Sequence, residues 1–111
     1  MTDPTDFQAK LKLLSDAYVA QLPERLQQIE QTWGQLPRNQ WDEAGFESLH
    51  RMVHSLTGSG KTFGLALLSD VARNFEEYLN VLAQAKSVPG EQQTKRIQAF
   101  LGDLHQAIKR P

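Results

Sequence analysis

Cysteine is missing from this 111-residue chain, which excludes disulfides, thiolate nucleophiles and cysteine-ligated metals. A basic excess is missing too: 12 Lys and Arg stand against 13 Asp and Glu, giving a net charge of −1 and a pI of about 6.3. A dedicated nucleic-acid or anionic-membrane binder normally carries surplus positive charge, so neither nucleic acid nor membrane is an expected partner. Long apolar runs are absent. The longest, such as Leu65–Leu68, fall far short of the roughly 20 residues that cross a bilayer. The opening MTDPTDF is no signal peptide. Sustained strand alternation is also lacking, and no internal repeat or low-complexity tract occurs. These absences together predict a cytoplasmic, soluble, helical domain.

What is present has ordinary proportions, with 40% hydrophobic and 23% charged residues, so a single core is expected across one domain, residues 1–111. A compact chain of this length has a radius near ~13 Å, which leaves no room for a deep pocket around a large substrate. Four helical segments can be read. The first opens at Thr5, where T-D-F-Q fits a capping box, and its apolar stripe runs Phe7, Leu11, Leu14, Tyr18, Leu22, Leu26, Ile29 and Trp33. Pro23 falls inside the stripe and predicts a kink or split near Gln21–Pro23. After a loop over Gly34–Gln40, the second helix begins near Asp42, continues to about Thr62 and stops at Gly64. Leu65, Leu68, Ala72, Phe75, Leu79 and Leu82 mark the third, and SVPG at Ser87–Gly90 ends it. Ile97, Phe100, Leu101, Leu104 and Ile108 mark the fourth. Short connections between long amphipathic helices predict an all-α, antiparallel up-down four-helix bundle with a kinked or split N-terminal helix.

The second helix holds the most informative stretch, HRMVHSLTGSGKTFG from His50 to Gly64. Leu49, Met52, Leu56 and Phe63 share one face of a helical wheel, while His50, His54, Thr57, Gly58 and Lys61 fall on the opposite one with Glu47 and Arg51. An interior glycine costs a helix about 1 kcal/mol relative to alanine, so glycines in the best-patterned helix need a reason. Gly58, one turn after His54, leaves that imidazole without a neighbouring side chain and open to something large. A free imidazole titrates near ~6.5 and is mostly a neutral nucleophile at neutral pH. Thr57 offers a hydroxyl at i+3. Lys61 offers a cation about 10 Å along the axis, and the apolar face provides a rigid base.

From His54 to Gly64 the string H-S-L-T-G-S-G-K-T-F-G resembles the signature of histidine-containing phosphotransfer (HPt) domains, roughly H-x-L-K-G-S-(A/S/G)-x-x-(F/L/I)-G. The likeness extends to Leu49 and His50, to V-A-R-N-F-E-E at Val71–Glu77 with its apolar–Glu pair Phe75–Glu76, and to L-P-E-R-L at Leu22–Leu26. It implies a four-helix bundle core, phosphorylation of His54 on Nε2 and docking of a response-regulator receiver domain over that face. A hybrid sensor histidine kinase is the implied upstream partner, and the carrier itself is expected to be a monomer. No cofactor is implied for this chain, because the acidic pocket and its Mg²⁺ would belong to the partner receiver. The T-G-S-G-x-T-F-G wording also resembles HPt modules that precede receiver and diguanylate-cyclase domains. One departure stands out: Thr57 occupies a position where the family often has Lys, so Lys61 is the expected replacement cation.

Other readings of these residues compete. S-G-K-T at Ser59–Thr62 ends like a phosphate-binding loop, but the first glycine of that motif is Ser55 here and no strand precedes it. His50 and His54, at i and i+4, lack the Glu of H-E-x-x-H and a third zinc ligand. His105 is expected to be solvated, and Trp33 and Trp41 to be core and cap aromatics. His54 is therefore the expected phosphorylated nucleophile, supported by Lys61, Thr57 and Gly58, with Glu47, His50, Arg51, Gly58 and Lys61 as the docking surface. The domain is expected to be neither kinase nor ATPase. The alternative is a helical module that docks a receiver or kinase without transferring phosphate, and Thr57 is the residue that suggests it.

Overall fold

The computed structural model describes residues 4–110, folded as α1 (Pro4–Gln35), α2 (Glu43–Thr62), α3 (Ala66–Ala85) and α4 (Glu91–Lys109). The helices pack in ring order, α1 against α2, α2 against α3, α3 against α4 and α4 back against α1, with α2 and α3 the most closely joined. Among the described residues there is no strand. The bundle is therefore the antiparallel up-down architecture that the four amphipathic stripes predict.

Each stripe supplies one wall of the core. Leu22, Leu26, Ile29 and Trp33 come from α1, and Phe46, Leu49, Val53 and Leu56 from α2. Leu68, Ala72, Phe75, Leu79 and Leu82 come from α3, and Ile97, Leu101, Leu104 and Ala107 from α4. Phe75 is wholly buried and stacks on Phe100 of α4 with ring centroids 5.1 Å apart. The helix ends follow local chemistry. Asp42 caps α2, its Oδ1 accepting from the Gly45 amide at 3.0 Å. The Gln93 side chain accepts from the Gly90 amide at the start of α4. Trp33 is buried, and Trp41 packs at the core's edge with its Nε1–H donating to Glu43.

Three expectations about α1 need correction. Of the kink or split that Pro23 predicts, the split does not occur: the helix runs through as one element. A proline inside a helix costs on the order of 3 kcal/mol. Burying a leucine returns about 1.5–3 kcal/mol, and the flanking Leu22 and Leu26 are each only 1% exposed, so the intact stripe outweighs the lost donor. Thr5 is not the cap, because the helix already includes Pro4, a residue suited to a first turn. Nor does the whole stripe reach the core: Phe7, Leu11 and Leu14 are 63%, 45% and 61% exposed. Burial starts at Tyr18, whose ring stacks on Phe63 at 4.9 Å beside the α2–α3 turn. Beyond that level α1 has no helix left to pack against. The overhang makes the molecule 58 × 24 × 19 Å with a radius of gyration of 16.0 Å, larger than a compact chain of this length would have. Among the described residues no helix is long and apolar enough to cross a membrane.

Candidate functional site

The site is built on the α2–α3 hairpin, and its register follows from the turn. Phe63 closes α2, and Gly64 takes φ +71°, a left-handed conformation that glycine adopts without steric cost. The Leu65 amide then donates back to the Gly60 carbonyl at 2.7 Å. Gly60 itself is buried, and a Cβ placed there would stand only 3.2–3.3 Å from the backbone and Cβ of Ser69. That contact brings the two helices close together. Ser69 Oγ donates to the Thr57 carbonyl at 2.8 Å one turn further on. With the hairpin clamped in this way, residues equally far from the turn face each other, and His54 meets Glu76.

His54 carries an exposed ring, and its Nδ1 lies 2.5 Å from Glu76 Oε1. The Glu76 side chain is only 15% exposed, and its other oxygen accepts from Thr57 Oγ1 at 3.1 Å. Thr57 Oγ1 also lies 3.3 Å from the Val53 carbonyl, but its single proton is drawn to the nearer, charged acceptor. A carboxylate at Nδ1 holds the proton on that nitrogen. The lone pair is then on Nε2, which bonds no other protein group among the described residues. Gly58, one turn above, has nothing within 4 Å of where a Cβ would be, so the backbone beside the ring is bare. His54, Thr57, Gly58, Lys61, Asp70 and Arg73 border an open depression of about 470 Å³ that ends on the imidazole.

The other residues singled out from the sequence are dispersed. Lys61 borders the depression, but Arg51 does not: it pairs with Glu47 at 3.1 Å and lines the groove between α2 and α1 with Arg25. Glu47 and His50 border a separate, smaller depression beside Trp41. His50 is half-buried, its ring parallel to that of His54 at 6.3 Å, with Nε2 buried, unbonded and 3.9 Å from Glu76 Oε1. Its Nε2 is therefore closed to solvent, unlike the exposed ring of His54. His105 is bonded to Glu30 of α1 at 2.5 Å, not merely solvated as expected. The residue that sequence reasoning left without a role is Glu76. Its signal was the hairpin register: counted outward from Leu65, at the turn, it is the acidic side chain on α3 that comes level with His54. Among the described residues no group of three or more His, Asp or Glu is arranged to hold a metal ion.

The four-helix bundle displays the His54 imidazole on its surface beside bare backbone, at the edge of an open depression. The family model described as the Hpt domain matches residues 14–110, and the chain belongs to that family. Hpt domains are histidine phosphotransfer carriers of phosphorelays rather than kinases or ATPases, and they typically meet receiver domains. Comparisons with curated proteins and with solved structures each returned no match.

Proposed function

We propose that this chain is a phosphorelay intermediate in which His54 Nε2 accepts a phosphoryl group from the phospho-aspartate of one receiver domain and passes it to the aspartate of another. The observation that carries this reading is the Thr57–Glu76–His54 chain of hydrogen bonds, ending on an exposed ring beside Gly58. Nε2 attacks the phosphorus of the acyl phosphate in line, the N–P bond forms, the O–P bond breaks, and the aspartate carboxylate leaves with the electron pair. Nδ1 keeps its proton throughout, and the Glu76 carboxylate faces the positive charge that develops on the ring. Return to a second receiver is the same step in reverse. The Mg²⁺ and acidic pocket belong to the receiver.

Thr57, the residue that suggested a docking module without transfer, bonds the same carboxylate that holds His54, so its hydroxyl supports the ring through Glu76. The test is incubation with a phosphorylated receiver or a hybrid histidine kinase. Acid-labile label that disappears in His54→Gln is the expected result. Label that persists unchanged in His54→Gln would reject the site, and no label from any receiver would favour the docking module.

A further inference from the structure

A phosphoryl group on His54 brings about two negative charges to a surface where the nearest hydroxyl, Thr57, is already donating to Glu76. Lys61 is two turns along α2, its stem starting about 10 Å from the ring position. The facing helix adds a second cation to the same depression. Arg73 lies one turn from Glu76 on α3, borders the same depression as His54 and Gly58, and sits opposite Thr57 across the hairpin. Its ion-pair partner is Glu77, 3.6 Å from Nε, with both side chains largely exposed, an arrangement that water and salt readily exchange. Asp70, a turn nearer the hairpin turn, faces the same space and is outnumbered by Lys61 and Arg73.

We infer that Arg73 is the residue that binds the phosphoryl oxygens on His54, turning its guanidinium from Glu77 into the depression when the ring is phosphorylated. The inference rests on the phosphotransfer reading above and adds a residue to it. A guanidinium suits the task because its fork of donors matches two phosphoryl oxygens and its charge does not titrate. The device spans two helices: α2 supplies the nucleophile and α3 supplies both the carboxylate behind the ring and the cation in front of it.

The test uses the full chain and phosphoramidate as a small-molecule donor, so that no partner surface contributes. The fraction of acid-labile label at plateau and the initial labelling rate are read together. Arg73→Gln is expected to lower both roughly fivefold, the scale of one charge-assisted hydrogen bond at a solvent-open site. Arg73→Lys, which keeps a cation at the same position and leaves the Thr57–Glu76–His54 chain intact, is expected to hold labelling within about twofold of the parent. Glu77→Gln, which releases Arg73, should keep labelling at or above that of the parent protein. Full labelling of Arg73→Gln would overturn the role of Arg73 and leave His54 standing. Equal loss in Arg73→Gln and Arg73→Lys, with an altered His54 ring spectrum, would make Arg73 a structural residue and overturn the inference as well. No label in the parent protein from phosphoramidate or from a phosphorylated receiver would remove both proposals together.

Discussion

Replacing Glu76 by glutamine keeps the shape of the side chain and removes its charge. The amide oxygen can still accept from His54 Nδ1, and Thr57 can still donate to the other end only if the amide turns its nitrogen away from it. With its oxygen toward Nδ1, the amide instead donates its N–H to Thr57 Oγ1, whose proton turns to the Val53 carbonyl 3.3 Å away, so both contacts at 2.5 Å and 3.1 Å can persist and what is lost is the charge. Hydrogen bonds to a charged group contribute about 1.5–3 kcal/mol when well enclosed. The Glu76 side chain is 15% exposed but the imidazole is 66% exposed, so water competes at the ring end. A discounted loss of about 1–1.4 kcal/mol of support for the charged transition state corresponds to transfer slowed roughly five- to tenfold. Single-turnover transfer from a phosphorylated receiver, followed by rapid quench, measures that rate. A ¹⁵N spectrum of the ring reads the tautomer independently: the parent should carry its proton on Nδ1, and Glu76→Gln should show a mixture. An unchanged rate together with an unchanged tautomer would refute the reasoning that places Glu76 behind the nucleophile.

Three further substitutions separate access, helix spacing and core packing. Gly58→Gln meets empty space and gains helix propensity, so stability should rise by a few tenths of a kcal/mol, about 0.5, while the longer side chain covers the ring and cuts transfer at least tenfold. A thermal melt and the transfer assay together check that split. Gly60→Ala should instead destabilise: its Cβ presses on Ser69 backbone that cannot swing aside, and a net loss of about 1 kcal/mol should lower the melting temperature by about 4–8 °C. Phe75→Ala removes a fully buried ring stacked on Phe100 and should cost about 3–5 kcal/mol, read as a large fall in the urea midpoint.

The helices were legible in the sequence because their stripes are long and their ends carry recognisable signals. Asp42, Gly64 and the SVPG tract all mark boundaries at or next to the observed ones. Periodicity names the face of a helix that is apolar, however, and not how much of that face finds a partner. The same stripe that is buried at Leu22 is exposed at Leu14, because α2 and α3 turn back level with Tyr18. At Pro23 the local penalty does not split the helix, because Leu22 and Leu26 are buried on either side of it. Gly58 and Gly60 look alike in sequence, yet one clears space beside the ring and the other lets a neighbouring backbone approach. His54 and Gly58 could be read from one helix alone. Glu76 and Arg73 act across the hairpin, and their place became apparent only with the register of α3 against α2.

The approach of Gly60 to Ser69 has a consequence for how such a carrier can be silenced. Nucleophile and carboxylate ride on separate helices, and what keeps them within hydrogen-bond reach is a close backbone contact two turns away. A small wedge between those helices would uncouple the imidazole from its acid long before the bundle melted. The chemistry is thus less robust than the fold that bears it, and a binding partner that pries the hairpin apart by an ångström would act as an off-switch while leaving the helical content intact.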